Sequence, residues 1–335
     1  MKRSYLLIIL LLALAGAVYY FTREDPYSTL GKDNDFAVRD TAKIGKIFIA
    51  DRDGASVTLK KNSKYWFVND GYRANPAIME NLMRVIYGME VLMRPPQAAV
   101  PSMVKSLAAN AYKVQIFNTS NELIRAYYVG GVTPNEGGTY MIMEGSEQPY
   151  VTGVKNRDGG LRANFFTEIE KWRDKTLFEY KVDDIKTLSL EYPKLRNRSF
   201  QIFKKDGQFQ VDPLFSTTPK SKEMLSNSRV EAYLRNYKSI IAEAFANEVD
   251  GKDSITQMLP FAIFKIEDVR GKRKEVKLYP IIPTNKQGFQ ALDNQGNAVP
   301  PEKYFTIIDN KDAMITQELL MGKVLWAYDY FFDKK

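Results

Sequence analysis

Apolar residues recur at every second position over several short stretches of the chain, and the first of these stretches predicts a hairpin. Ile47 and Ile49 precede the turn sequence DRDG at 51–54, and Val57 and Leu59 follow it with the same spacing. Residues two apart share one face of a strand, and Asp-Gly is a common hairpin turn. The same reasoning predicts strands near 65–68, 112–117, 123–129 and 150–154.

Helical spacing predicts three helices in the first half of the chain. Asn75-Pro76 is a typical helix start, with Asn as the N-cap and Pro in the first turn, and apolar residues recur at helical spacing from Ile78 to Met89. A shorter helix is predicted over Ser102–Ala109, and another over Asn164–Trp172.

The order of predicted strands and helices recurs in the second half, at shifts of 143 and 150 residues. The shift of 143 aligns Val57, Leu59, Trp66 and Val68 with Phe200, Ile202, Phe209 and Val211. The shift of 150 aligns Val114, Ile116, Tyr128, Asn135 and Gly138 with Phe264, Ile266, Leu278, Asn285 and Gly288. A recurring order of elements is typical of a duplicated module. The predicted fold is therefore α+β, with two tandem, internally related modules over 41–178 and 179–335, each a mainly antiparallel sheet with helices packed on one face.

The first residues predict a membrane anchor. Lys2 and Arg3 precede an uncharged run from Ser4 to Thr22, whose apolar part ends in aromatic residues. Positive charge before an apolar span favours a cytoplasmic N-terminus. We therefore expect a signal-anchor or transmembrane helix over 1–22, a tether over 23–40, and both modules on the periplasmic side of the inner membrane. The alternative is a signal peptide cleaved after Ala15 or Ala17, which would release the chain into the periplasm.

Composition narrows the possible chemistry. The chain has 335 residues, of which 44% are hydrophobic and 26% charged, and it contains neither Cys nor His. The absence of both residue types excludes Ser–His–Asp and Cys–His catalysis and Cys- or His-ligated metals. No catalytic residue, cofactor or metal is predicted. The net charge of +8 is spread over both halves rather than clustered, which argues against nucleic-acid binding.

Two segments are candidates for an interaction surface. The first holds Gly130, Gly131, Asn135, Gly137 and Gly138. It departs from a phosphate-binding loop because Gly138 stands where that motif has Lys, so we interpret it as a structural hairpin. Gly130, Gly131 and Gly137 have no glycine at the aligned positions of the second module. A close approach of another strand or of a partner would explain these three glycines.

The second candidate is a basic cluster in a predicted turn. Arg270, Lys272, Arg273 and Lys274 lie within five residues of sequence. A solvated turn is one interpretation of such a cluster, and contact with an acidic partner is the other.

Several longer segments resemble a known family. They are DFAVRDTAKIGKIFIADRDG, SLAANAYKVQIF, YYVGGVTPNEGGTYMIMEGSEQPYVT and NFFTEIEKWRDKTLFEY. Together with the predicted anchor, they resemble the domain of unknown function 4340 (DUF4340) proteins, in particular the membrane-anchored members in Bacteroidota. The resemblance is strongest over residues 35–180. It implies an association with gliding-type ABC transporter components of the cell envelope, and it transfers no functional residue.

These observations favour a non-catalytic, membrane-anchored envelope protein that binds other proteins as an accessory component. Two alternatives stay open. The aromatic residues and basic turns suit a module that binds glycan or another envelope polymer, and paired carboxylates would suit a hydrolase.

Overall fold

The computed structural model describes residues 33–157, 159–205 and 207–333. The chain divides into two compact units, the first ending at Asp174 and the second beginning at Lys175. The predicted anchor over 1–22 and most of the tether lie outside the described residues. Within the described part of the chain, no helix has the length and apolar character needed to span a membrane.

The first unit is built on one large antiparallel sheet. Its described strands are β1 (Ile44–Ala50), β2 (Ser56–Lys61), β3 (Trp66–Val68), β4 (Tyr72–Arg73), β5 (Met89–Met93), β6 (Tyr112–Asn118), β7 (Leu123–Val132), β8 (Thr139–Met143) and β9 (Tyr150–Val154). The strand order is β4-β3-β2-β1-β6-β7-β8-β9-β5. The helices are α1 (Pro76–Gly88), α2 (Val100–Asn110) and the short α3 (Ile169–Trp172). The predicted hairpin at 51–54 is confirmed, since β1 pairs with β2.

The second unit has a second large antiparallel sheet. Its described strands are β10 (Thr176–Phe178), β11 (Ile185–Glu191), β12 (Phe200–Lys205), β13 (Gln208–Pro213), β14 (Ile240–Ile241), β15 (Ala244–Phe245), β16 (Ala262–Asp268), β17 (Arg273–Ile281), β18 (Lys303–Ile308) and β19 (Asp312–Gln317). The large sheet has the order β13-β12-β11-β16-β17-β18-β19-β15, and β10 pairs with β14 separately. The helices are α4 (Asn227–Arg235), α5 (Lys252–Gln257) and α6 (Glu318–Met321). The fold is therefore α+β, with two large antiparallel sheets and few helices.

The main core of the first unit lies between the sheet and α1. Asn75 caps this helix as predicted, because its side-chain oxygen accepts the backbone N–H groups of Ala77 and Ile78. The buried face of α1 comprises Met79, Leu82, Val85 and Ile86. Each fully buried side chain of this kind stabilises the fold by about 1.5–3 kcal/mol relative to an exposed one.

The prediction that helices pack on one face only is wrong for both sheets. Tyr128 and Ile142 alternate with strand residues of the main core, so they point to the opposite face, where they pack with Leu107 of α2. In the second unit, Tyr279 and Phe305 likewise pack with Ile255 of α5 on the face away from the main core. Apolar side chains on both faces of a sheet require cover on both faces.

The predicted continuous helix over Asn164–Trp172 is also wrong, because its middle is not helical. Residues 165–168 have no helical structure, and only Ile169–Trp172 form a helical turn. The buried side chain of Trp172 donates from its indole Nε1–H to the carbonyl of Phe166 at 2.9 Å. Thr167 donates its hydroxyl to Asp51 at 2.9 Å. These tertiary contacts outweigh the local helical pattern.

The two large sheets share a connectivity. Without the edge strand β4, the strand order of the first sheet is β3-β2-β1-β6-β7-β8-β9-β5. The second sheet has the same order with each strand number raised by ten, β13-β12-β11-β16-β17-β18-β19-β15. Ile47 lies between Leu59 and Ile116 in the first sheet, as Leu188 lies between Ile202 and Ile266 in the second. The shift of 143 aligns Leu59 with Ile202, and the shift of 150 aligns Ile116 with Ile266.

The alignment at a shift of 150 fails beyond β6. Val129, not Tyr128, matches Leu278, because Tyr112 pairs with Val129 where Ala262 pairs with Leu278. Asn135 and Gly138 do not match Asn285 and Gly288. Residues 133–138 connect β7 to β8 in the first unit, whereas the much longer segment 282–302 connects β17 to β18 in the second. The insertion displaces every later position.

Candidate functional site

The glycine-rich segment is a hairpin, as interpreted, because β7 and β8 pair in antiparallel fashion on either side of residues 133–138. Its backbone donors are used within the turn. The N–H of Thr133 donates to the carbonyl of Gly138 at 2.8 Å, and the N–H of Gly138 donates to Thr133 Oγ1 at 3.0 Å. The N–H of Gly137 donates to Asn135 Oδ1 at 3.3 Å. A phosphate-binding loop needs such donors aimed at a ligand, which this turn does not provide.

Close packing accounts for two of the glycines. A Cβ at Gly130 would lie 2.5 Å from Leu107 Cδ2 of α2 and 2.9 Å from the carbonyl oxygen of Tyr140. A Cβ at Gly138 would lie 2.5 Å from Val151 Cγ1. Gly131 faces open space, and nothing in the structure explains it. The close approach at Gly130 comes from Leu107 of α2 and from the backbone of Tyr140 in β8, both in the same unit.

The basic cluster surrounds the turn between β16 and β17, and most of its charges have partners. Arg270 lies 3.6 Å from the carboxylate of Asp268, and Arg273 lies 2.8 Å from that of Glu267. Lys274 donates to the carbonyl of Leu177 at 2.6 Å, whereas the side chain of Lys272 is exposed. Ion pairing reduces the positive potential that an acidic partner would feel.

Asp268 organises this turn. Its buried carboxylate accepts the backbone N–H groups of Lys272 and Arg270, each at 2.9 Å. These bonds, that of Lys272 first, hold the pKa of Asp268 below its ordinary value of 3.8. The glycine hairpin belongs to the first unit and the basic turn to the second, and each is a separate local feature.

A concave surface in the second unit was not predicted from the sequence. It is a groove of about 840 Å³, which we call the proline groove. Its apolar lining residues are Phe261, Pro280, Ile282, Pro300, Pro301 and Leu319. Leu319 is 79% exposed and Ile282 44% exposed. Its volume and apolar lining are typical of a binding site.

Four separate chain segments form the groove. Phe261, just before β16, donates its N–H to the carbonyl of Leu278 at 2.8 Å. The N–H of Glu318, at the start of α6, donates to the carbonyl of Glu302 at 2.8 Å. The connection 282–302 contributes the adjacent prolines Pro300 and Pro301. The groove therefore exists only because the sheet brings the ends of these strands together.

The floor of the groove is aromatic. Tyr304 is buried and donates its hydroxyl to the carboxylate of Glu318. Burial, and then this hydrogen bond, raise the pKa of Tyr304, so the phenol stays protonated at neutral pH. The ring of Phe261 stacks on that of Tyr304 at 5.9 Å with an interplanar angle of 16°.

The rim of the groove is acidic. Lys303 donates to Glu243 Oε1 at 2.8 Å, and this bond is the largest of the effects that lower the pKa of Glu243. Glu302 and Glu318 line the groove together with Lys303, whereas Glu243 lies outside the lining. The lysine is thus engaged by a neighbouring carboxylate, and the remaining charge at the rim is negative.

A smaller cavity of about 480 Å³ lies between α2 and the sheet of the first unit. Its lining includes Leu107, Tyr128 and Ile142. Lys113 at its edge forms an ion pair with Glu144 at 2.6 Å, and hydrogen bonding to that glutamate raises the pKa of Lys113. Among the described residues, no three acidic side chains group in a way that would hold a metal ion.

None of the residues in the proline groove was singled out from the sequence. They lie on four segments spread over residues 261–319, in a pattern without helical or strand periodicity. The adjacent prolines Pro300 and Pro301, together with Pro280, are the one local signal that could have drawn attention to this region.

The comparison with protein families finds one match. The family described as "Domain of unknown function (DUF4340)" matches residues 66–258, which is more than half of the chain. The match begins at β3 and ends just after α5. No curated protein and no solved structure matches the chain.

The glycine contacts predict opposite results for two neighbouring positions. Gly130→Ala should lower the free energy of unfolding of the first unit by about 1–3 kcal/mol, because its new methyl group meets the backbone of Tyr140 and the side chain of Leu107. Gly131→Ala is the control and should change it by less than about 0.5 kcal/mol. Urea unfolding followed by circular dichroism measures both. Equal effects of the two substitutions would contradict the packing explanation.

The hydrogen bonds to Asp268 predict a dependence on pH. A carboxyl group whose pKa is lowered by folding stabilises the protein above its ordinary pKa, and this contribution is lost as the pH falls through the folded-state value. The urea midpoint of Asp268→Asn should therefore fall less between about pH 5 and pH 3 than that of the wild type. Asn keeps an acceptor for the turn but does not titrate. An identical acid dependence would show that Asp268 does not contribute.

Proposed function

We propose that this chain, which belongs to the DUF4340 family, is a non-catalytic, membrane-anchored binding protein of the cell envelope. The family itself is described only as a domain of unknown function. The segment 1–22 anchors it in the inner membrane with its N-terminus in the cytoplasm, and both units lie on the periplasmic side. Its partners are other envelope proteins, and ABC transporter components are the class that the family resemblance suggests.

The observation that carries this proposal is the proline groove. Exposed apolar side chains gathered in a concavity are typical of a binding surface rather than of ordinary solvent-exposed surface. Phe261, Ile282 and Leu319 are each more than a third exposed, and all three line the same groove.

The carboxyl groups with shifted pKa values give no support to hydrolysis. A general acid in a carboxylate-based hydrolase needs a raised pKa. Among the described residues, every carboxyl group with a shifted pKa is shifted downward, by hydrogen bonds from lysine side chains or backbone N–H groups. These are Glu168, Glu243, Glu267, Asp268 and Asp293.

We further infer that the two units are copies of one module. The support is the shared strand order and the matching pairs around Ile47 and Leu188. Each sheet also has a helix on the face away from its main core, inserted between β5 and β6 in the first unit and between β15 and β16 in the second. Duplication leaves one copy free to diverge toward binding.

Polymer binding is the second candidate, and one observation favours it. The rings of Phe261 and Tyr304 lie nearly parallel in the groove, and an exposed aromatic face suits a sugar ring. Tyr304 is buried, however, so only Phe261 offers such a face. A polymer would need the Phe261 ring, whereas a protein partner would use the full apolar lining.

The anchor is tested by the N-terminus of the mature protein. The full chain should remain in the membrane fraction after alkaline extraction and should keep its first residues, and a variant beginning at Arg23 should be soluble in the compartment where it is made. A mature N-terminus at Gly16 or Val18 would instead show that the segment is a cleaved signal peptide.

Protein binding at the groove is tested by site-specific photo-crosslinking in cells. A photo-reactive residue at Leu319 should yield a discrete adduct with an envelope protein that mass spectrometry identifies. The matched control is Val269, which is also exposed and apolar but lies in the turn after β16. If Leu319 repeatedly gives no protein adduct, or if envelope polymer alone is retained, the proposed protein partner is wrong.

A further inference from the structure

A row of three side chains crosses adjacent strands at equivalent positions in the two units. In the first unit, Val132 of β7 pairs with Thr139 of β8, which pairs with Thr152 of β9. In the second unit, the corresponding row is Pro280 of β17, Tyr304 of β18 and Thr316 of β19. The shared strand order makes these rows comparable.

In the first unit the chain covers this row with its own residues. Gly160 packs so closely on Val132 that a Cβ would lie 1.9 Å from Val132 Cγ1. The next residue, Leu161, is buried and donates its backbone N–H to Thr139 Oγ1 at 2.6 Å. The row therefore binds a short segment of the same chain, residues 160–162, which we call the strap; Leu161 has helical backbone angles and Arg162 begins a 3-10 turn.

The strap ends with Arg162, whose guanidinium group is held by two backbone carbonyls and an aromatic ring. Arg162 donates to the carbonyls of Val129 at 3.1 Å and of Asn110 at 2.9 Å. Its guanidinium lies 4.4 Å from the centroid of the Tyr112 ring. The strap thus combines a small residue, Gly160, a buried apolar residue, Leu161, and a basic residue, Arg162.

In the second unit the equivalent position is the proline groove. Here side chains of the same unit already cover the centre of the row, because Tyr304 and Thr316 are buried, the Phe261 ring stacks on Tyr304 and the Tyr304 hydroxyl donates to Glu318. The open space of the groove lies next to these side chains. Pro280, Tyr304 and Glu318 all line the open space. The negative rim formed by Glu302 and Glu318 complements a basic side chain.

We propose that the proline groove binds a short segment of a partner protein, in which an apolar side chain enters the groove and an adjacent Lys or Arg meets the acidic rim. The inference rests on the proposed function, because it specifies what the groove of this binding protein takes. The strap of the first unit supplies the pattern of the ligand, and the charge of the rim fixes the sign of its neighbouring residue.

The probe is the strap itself, supplied as the fluorescein-labelled peptide GGLRAN, residues 159–164. Fluorescence polarisation with the full chain should show saturable binding. The peptide GGAEAN, which lacks both the apolar and the basic side chain, should bind at least about tenfold more weakly. Absence of saturable binding of GGLRAN, or equal binding of both peptides, would overturn the proposal.

Protein variants locate the binding. Leu319→Asp should weaken GGLRAN binding by about tenfold, and Val269→Asp should leave it unchanged, since both residues are exposed but only Leu319 lines the groove. Circular dichroism confirms that each variant is folded. Binding that is insensitive to Leu319→Asp would place the peptide elsewhere and contradict the proposal.

A charge exchange tests the role of the rim. Glu302→Lys should weaken GGLRAN by about two- to fivefold and strengthen the charge-reversed peptide GGLEAN relative to the wild type. If Glu302→Lys weakens the binding of GGLRAN and GGLEAN to the same extent, the rim does not select the basic residue.

Two further outcomes separate this inference from the proposed function. If a photo-reactive residue at Leu319 captures an envelope protein while GGLRAN does not bind the full chain, the groove binds a partner of different chemistry and only the inference fails. If the full chain forms a dimer that Leu319→Asp dissolves, measured by analytical ultracentrifugation, the occupant is a second copy and the proposed segment of another protein is wrong.

Discussion

Each large sheet carries apolar side chains on both of its faces, so each face must be covered. In the first unit, Tyr127 and Val129 point toward α1 while Tyr128 and Gly130 point toward α2. The close contact between Leu107 and Gly130 sets how near α2 approaches the sheet. The cavity beside α2, the placement of the glycine hairpin and the burial of the main core all follow from this double cover.

The sequence reveals the elements whose signal is local. Period-two spacing around residues 51–54 is sufficient for the first hairpin, and the Asn75 cap is sufficient for the start of α1. Elements that depend on distant contacts are not predictable in this way. Residues 165–168 follow a helical pattern but are held out of a helix by contacts to Asp51 and the Trp172 indole. No periodicity reveals those contacts.

The same distinction between local sequence signals and contacts of distant residues applies to the candidate sites. The residue types of the glycine segment are sufficient to predict a turn, and the structure has the expected hairpin. The helix that approaches Gly130 could not be named, because it packs on the face that was expected to be open. The proline groove could not be predicted at all, since Phe261, Pro280, Pro300 and Leu319 meet only once the strands are paired. The alignment that would have compared it with the strap fails at the long connection 282–302.

Pro280 limits how anything can approach the second sheet. Beyond the pair of Ala262 with Leu278, residues Tyr279–Ile281 of β17 pair with β18 but with no residue of β16, so one side of this segment is a local sheet edge. Proline has no backbone N–H, and within a sheet it is tolerated where that missing donor faces outward. An incoming strand would find no donor at this point and could not extend the ladder. The edge is thereby protected against strand addition and aggregation, and recognition beside it must depend on side chains.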